Sequence, residues 1–516
     1  MSEDERAGPT PEEPGTRESD SSEAGLKAAR RENLAALRRL GRDPFVTTRY
    51  DVTAHAADVV ERFASLAADA PPVEEHVALA GRLLALRRMG KNVFFADLWD
   101  RTGKLQLYVR KDAVGDDAFA AFDTLDIGDV VGATGTPFRT KSGELSLRVQ
   151  SFEVLVKALV PLPDKWHGLT DIEKRYRRRY VDLIINPEVR ETFMLRSRII
   201  AEMRRFIDGQ GFYECETPTL LTVAGGAAAR PFRTHSNALD IEMDLRIATE
   251  LNLKRLIVGG LERVYEIGRI FRNEGIDTTH NPEFTMLELY AAYWSVNEMM
   301  AFNEELFAHV VQFVHGGDTV EYGGNQISFA RPFGRLAYLE GMERYGGLTR
   351  DRLLDPDGAA RILEELGLPS SPTHGHALDK IFEKVVEPHL VQPTFVYDMP
   401  TLISPLSKRK PGDPELVERY ELFAANFELS NAFSELNDAD DQRSRFEAQI
   451  EERARGDEEI PEPDWDFVHA LEYGMPPTAG IGIGVDRLVM VLTASASIRD
   501  VILFPQQRPE RHSPEA

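Results

Sequence analysis

The sequence holds a single cysteine, Cys215, among 516 residues. That excludes an intramolecular disulfide framework and any zinc site built from several thiolates. No window of roughly 20 apolar residues is free of charge, so no membrane-spanning helix is expected. The opening stretch, MSEDERAGPTPEEPGTRESDSSEAG, has neither the basic start nor the apolar run of a secretory leader. Positive charge is scarce: 61 Lys and Arg stand against 85 Asp and Glu, a net charge of −24. Such a chain does not coat nucleic acid indiscriminately, although a local basic patch is compatible with it. Also missing are the Gly-x-x-x-x-Gly-Lys-Ser/Thr phosphate loop, the dinucleotide fingerprint, HExxH and GxSxG. What is present is a globular composition, 42% hydrophobic and 9% aromatic, on a chain long enough for two or three domains. A soluble, cytoplasmic, multidomain protein is expected.

Residues 1–25 are rich in Glu, Asp, Pro, Ser and Gly and read as a disordered acidic tail. In the following segment, residues 26–72, LKAARRENLAALRRL sets Leu26, Leu34, Leu37 and Leu40 near one helical face, with Lys27, Arg30, Arg31, Arg38 and Arg39 around them. Packing on a neighbour and lying along an RNA backbone both fit that pattern. Residues 73–160 are β-like. Turn signals at Arg101-Thr102-Gly103, around Asp126–Asp129 and at Lys141-Ser142-Gly143 separate about five short runs, which suggests a small OB-type barrel, with a small sandwich as competitor. Residues 161–186 read as a charged linker, residues 187–508 as one large α+β domain, and 509–516 as a short tail.

Three segments of the large domain carry chemistry. Gly211-Phe-Tyr-Glu-Cys-Glu-Thr-Pro218 joins a long amphipathic helix to a strand; by itself it is a structural junction. Phe271-Arg-Asn-Glu-Gly275 leads into Thr279-His-Asn-Pro-Glu-Phe284 and Thr285-Met-Leu-Glu-Leu-Tyr290. A strand is expected to carry Arg272 and Glu274, and its period of two puts them on one face, as it does Glu288 and Tyr290 on the next strand. An Arg and Glu so placed fit either an ion pair or a ligand grip. In Ala479-Gly-Ile-Gly-Ile-Gly-Val-Asp-Arg-Leu488, the alternating Gly480, Gly482 and Gly484 clear one strand face before Arg487 opens a helix.

In this order, the three segments resemble the signature motifs of class II aminoacyl-tRNA synthetases. With the barrel, the linker and Phe427-Glu-Leu-Ser-Asn-Ala-Phe-Ser-Glu-Leu-Asn-Asp438, the resemblance extends over roughly residues 26–505 and points within that class to the bacterial lysine enzymes. The implied fold class is α+β: an antiparallel sheet flanked by helices, preceded by an all-β OB-type barrel that reads the anticodon. The implied activity is lysine–tRNA ligation, in which lysine and ATP give lysyl-adenylate and pyrophosphate, and lysine then passes to the 3′ end of tRNA(Lys). No protein nucleophile is needed. Mg²⁺ is the implied cofactor, ATP a co-substrate, and a homodimer the implied assembly.

By the same resemblance, Arg272 and Arg487 are the catalytic residues, holding fixed positive charge where the phosphoryl transition state gathers negative charge. Glu274, His280, Asn281 and Phe284 complete the ATP site, Phe284 stacking on adenine. Glu421 and Glu428 match the magnesium acids, a sparse pair of the kind that suits a hard cation sharing phosphate oxygens and water. Gly226, Glu250, Glu288, Tyr290, Asn431, Phe433 and Glu435 match the lysine site. Buried carboxylates there reject substrates without an ammonium group, which separates the lysine enzyme from its aspartate and asparagine relatives. In the barrel, Phe95 and Gln106, with Arg87 and Glu144, match anticodon-contacting positions, Phe94 facing the core. Cys215 is expected to be buried structure. A protein-modifying paralogue would lack the barrel, and a non-catalytic one would have lost Arg272, Arg487 or the Glu421–Glu428 pair.

Overall fold

The computed structural model describes residues 16–510 apart from 69, 72, 164–170 and 455–461, and divides into two units near Gly168. Residues 1–15 and 511–516, expected as tails, lie outside the described residues, as do linker residues 164–170. Among the described residues no helix is long and apolar enough to cross a membrane.

The first unit opens with helix α1 (Thr16–Arg39), which begins inside the stretch expected to be disordered. Its Leu34 and Leu37 are buried while Leu26 and Leu40 stay exposed. Arg30 is buried too, donating to the carbonyls of Ala158 and Ile127 at 2.8 Å each, so one arginine of the basic helix is used for packing. Five strands then close a barrel: β1 (Val77–Met89), β2 (Val93–Trp99), β3 (Lys104–Arg110), β4 (Val130–Arg139) and β5 (Leu145–Val156), in the order β1-β2-β3-β5-β4. The expected turns fall between them. Period-two alternation fills the interior with Phe94, Ala96, Leu98, Leu105, Leu107 and Val109.

The second unit starts earlier than the sequence suggested. Among the described residues of the expected linker, two helices form, α2 (Ile172–Arg177) and α3 (Arg179–Ile185). Tyr176 Oη donates to Asp500 at 2.8 Å, and the fully buried Arg179 pairs with Asp182 at 2.7 Å while donating to the Arg499 carbonyl. These anchors make the segment part of the domain. Helix α4 (Pro187–Gly209), with proline at its first turn, leads into the short strand β6 (Tyr213–Glu214).

Helix α5 (Glu250–Val258) precedes the central hairpin, β7 (Arg263–Phe271) and β8 (Glu283–Ala292). Helix α6 (Val296–His315) starts at a Ser295/Glu298 capping box and stops at Gly316 in the left-handed conformation. Strands β9 (Gly334–Ala337), β10 (Thr394–Pro400), β11 (Asp413–Ala424), β12 (Phe427–Ser434) and β13 (Thr478–Gly484) complete the sheet, and helix α7 (Val485–Leu492) follows directly. The sheet order is β9-β10-β11-β12-β13-β8-β7-β6, antiparallel except for the two outer pairings, with a ninth short strand beside β11. Leu287, Leu289, Ile481, Ile483 and Ala432 face α4, α6 and α7 in the main core. The opposite face is left for the cleft.

Candidate active site

Register explains the cleft. Gly480, Gly482 and Gly484 on β13 lie opposite Tyr290, Glu288 and Met286 on β8, while Phe433 and Asn431 on β12 flank Gly480 and Gly482 from the other side. Directly opposed residues share a face, so three glycines clear a strip of backbone between two rows of functional side chains. A Cβ on Gly480 would collide with Tyr290 and Glu435. Gly226 is needed for a second reason: it has φ +89°, and a Cβ there would crowd those of Ala248 and Glu250 at 3.1 Å.

Two adjoining hollows occupy the cleared face. The first, about 380 Å³, is lined by the expected lysine-site residues Gly226, Glu250, Glu288, Tyr290, Asn431 and Phe433, and by Glu421 and Glu428. The second, about 330 Å³, is lined by every residue expected to meet ATP: Arg272, Glu274, His280, Asn281, Phe284 and Arg487. Arg272, Glu428, Asn431 and Gly482 border both. A small cationic substrate in one and a phosphate chain in the other would meet at Arg272.

Arg272 and Glu274 are not strand neighbours, because β7 ends at Phe271. They lie just past its end, where the chain leaves the ladder toward Gly275. The Arg272 guanidinium lies 5.3 Å from the centroid of Phe284, so one face of the ring expected to stack on adenine already carries a cation. Arg487, in the first turn of α7, donates to the Glu428 carbonyl at 3.0 Å and to His280 Nε2 at 3.3 Å. His280 Nδ1 in turn lies 2.9 Å from Asp277, whose carboxyl is held well below its ordinary range by hydrogen bonds from His280 and Thr279 that outweigh its partial burial. Asn281 is buried, and its amide group spans Glu283 O and the Gln506 N–H, which fixes the loop.

In the acidic hollow, Glu288 accepts from the Thr249 N–H at 3.0 Å and from Tyr290 Oη at 3.4 Å. Burial, with Glu250 adding to it, pushes its carboxyl up to about 7. Glu435 does not line the hollow. It lies behind Tyr290 and Gly480, paired with the fully buried Lys254, which also donates to Glu250 Oε1 at 2.5 Å. Burial alone would pull the Lys254 ammonium down; the two carboxylates more than reverse this and hold it above the usual lysine value. Sequence reasoning missed Lys254, although its position four residues after Glu250 on one helix face was a visible signal. It also missed Arg419, which lies two residues before Glu421 on β11 and donates to it at 2.7 Å and to Asn431 Oδ1 at 3.1 Å. A third omission is Asp486, buried and accepting from the Thr285 N–H at 2.6 Å while pairing with Arg196 at 2.5 Å, which ties α7 to β8 and α4.

Glu421 and Glu428 border the same hollow. Burial pushes the Glu421 carboxyl up to about 8, Arg419 opposing and Glu428 adding to the rise. Two hard oxygen donors, one held up by desolvation and a like charge, fit a divalent cation sharing phosphate oxygens. Among the described residues no cluster of three or more His, Cys, Asp or Glu forms a complete cage for a metal.

In the barrel, Phe94 is buried and Phe95 faces outward, half-exposed, 5.0 Å from the Tyr108 ring. Arg87, Phe95, Gln106 and Glu144 line one open hollow with Asp97 and Lys104. Gln106 accepts from Ser146 at 2.9 Å. Cys215, expected to be buried, is partly exposed at the rim of a core cluster, and burial with nearby Glu266 raises its thiol.

This pairing of a closed nucleic-acid-type barrel with a glycine-cleared antiparallel cleft has known counterparts. Residues 171–508 match the family model "tRNA synthetases class II (D, K and N)" and residues 77–155 match "OB-fold nucleic acid binding domain". The chain therefore belongs to the class II tRNA synthetases of that group. Its relatives there include the lysine–tRNA ligase of Moorella thermoacetica, 54% identical over 95% of this chain and 99% of that one. The lysine–tRNA ligases of Bacillus subtilis (50%, covering 93% and 96%) and Aquifex aeolicus (51%, covering 87% and 76%) are similar to it as well.

Proposed function

We infer that the protein is a lysine–tRNA ligase. The observation that carries this reading is the acidic hollow, with Glu250 and Glu288 buried in its wall, opening onto an arginine-lined hollow at Arg272. Lysine's ammonium groups answer the carboxylates, and its carboxylate answers Arg272. Its oxygen attacks the α-phosphorus of ATP, the bond to the pyrophosphate oxygen breaks, and pyrophosphate leaves. The 3′-hydroxyl of tRNA then attacks the activated carbonyl and displaces AMP. Arg272 and Arg487 supply permanent charge to the phosphates in both steps. Arg272 holds α-phosphate and carboxylate together, so much of the rate gain is positional.

Glu421 and Glu428 would hold Mg²⁺, which when bound neutralises phosphate charge. Phe95 and Gln106, with Arg87 and Glu144, would meet anticodon bases of tRNA(Lys) by stacking and hydrogen bonding. A homodimer is the assembly that the resemblance to class II synthetases implies; sedimentation at micromolar concentration reads it directly. The need for tRNA and ATP supports a cytoplasmic site of work. The test is charging of tRNA(Lys) with labelled lysine. Full-length protein with Mg²⁺ and ATP should charge it and leave tRNA(Asp) and tRNA(Asn) uncharged. Absence of charging by folded protein would refute the assignment.

A further inference from the structure

Lys254 is the fully buried cation of the acidic site. Its ammonium is bonded to Glu250 and paired with Glu435, and lies 5.4 Å from the ring centroid of Phe433. The side chain has no exposed surface and does not border the hollow. Glu435 is equally withdrawn, with one carboxylate oxygen against the space that a Gly480 Cβ would take. Glu250 and Glu288 therefore line the hollow while Glu435 stands behind it. The site contains three acids and a resident ammonium.

Charge balance follows. Apart from Glu421 and Glu428, which border the same hollow beside Arg419 and Arg487, Glu250 and Glu435 share Lys254 and so leave one negative charge, and Glu288 adds a second once ionised; lysine brings two ammonium groups. Arg272 answers the one carboxylate that lysine also brings. Without Lys254, a third buried carboxylate would lack a cation, and such a group takes up a proton rather than stay charged. We propose that Lys254 is a positioning residue that determines specificity, an internal counter-cation that fixes Glu250 and Glu435 and trims the charge of the pocket to lysine's two ammonium groups. The proposal rests on reading the first hollow as the lysine site. A compact ammonium suits the role: the slot between Glu250, Glu435 and Phe433 is closed on all sides, and a planar guanidinium has a different reach.

The experiment is lysine-dependent ATP–pyrophosphate exchange by Lys254→Met across pH 6.5–8.5, with folding checked by circular dichroism. The KM for lysine should rise about tenfold to a hundredfold, the range expected when hydrogen bonds to a charged group are lost. The KM for ATP should stay within about twofold, because Lys254 touches nothing in the arginine-lined hollow. The charged and polar groups that face one another there are Glu250 and Lys254 on α5, Glu288 and Tyr290 on β8, Arg272 just past β7, and Glu435 after β12. With the resident cation gone, the pH at which the lysine KM levels off should move upward. If the single variant does not fold, Lys254→Met combined with Glu435→Gln removes the unpaired charge. It should fold, with the pH profile returned toward that of the parent because the net charge is restored, and with a lysine KM still above the parent's because Glu250 has lost the ammonium that holds it. A folded variant with the parental lysine KM and pH profile overturns the proposal, as does an equal loss in both KM values and kcat without a pH shift. Glu288→Gln, measured in parallel, tests the pocket itself: an unchanged lysine KM there would refute the site reading and not the role of Lys254.

Discussion

Arg272 stands where the two hollows meet, with Phe284 beneath its guanidinium. A lysine there would keep the charge but lose the planar fork and the stacking. Arg272→Lys should lower the exchange rate by about a hundredfold to a thousandfold, the usual cost of removing one preorganised transition-state donor. Stopped assays with saturating lysine and ATP check this, and a rate within a factor of two of the parent would show that charge alone suffices. Glu288 gives a second prediction at the same scale. Its carboxyl is raised to about 7 by burial and Glu250, so it ionises as pH rises through neutrality, and only the ionised form balances an ammonium group. The KM for lysine should therefore fall between pH 6 and pH 8. Glu288→Gln should remove that slope and leave a high KM throughout.

At the scale of elements, strand β13 carries the site through what it lacks. Gly480→Ala puts a methyl group into Tyr290 and the Glu435 carboxylate. Overpacking of this kind costs about 1–3 kcal/mol, and here the displaced groups are among those proposed to hold lysine. Thermal unfolding should shift downward and the lysine KM should rise, while the KM for ATP holds. An unshifted KM would separate the glycine strip from substrate binding. The strip was legible in the sequence because period two is written directly into Gly480, Gly482 and Gly484, and the same period put Glu288 beside Tyr290. Arg272 and Glu274 escaped that logic because β7 stops at Phe271 and the chain leaves the ladder before them. The Lys254–Glu435 pair was illegible for another reason: its partners are far apart in sequence, and only the packing of α5 against the end of β12 joins them. Residues 161–186 read as a linker because they are dense in charge and bracketed by prolines. Arg179 is instead wholly buried and satisfied by Asp182 and carbonyls near the C-terminus.

At the scale of the whole molecule, the proposed function assigns amino-acid activation to the second unit and anticodon contact to the first. Phe95 lies in the first unit, outward-facing on β2. Phe95→Ala should remove a stacking contact worth about 1–3 kcal/mol per base, about tenfold to a hundredfold in kcat/KM for tRNA. Exchange without tRNA should be unchanged. Equal losses in both assays would mean that the ring supports the fold and does not read a base.

The central claim is that an acidic hollow joined to an arginine-lined hollow activates lysine. Amino-acid-dependent ATP–pyrophosphate exchange across all twenty amino acids, with Mg²⁺ and without tRNA, tests it most directly. Lysine alone should drive exchange, and Arg272→Ala should abolish it. Exchange driven by aspartate or asparagine would contradict the charge argument while leaving the class of enzyme intact.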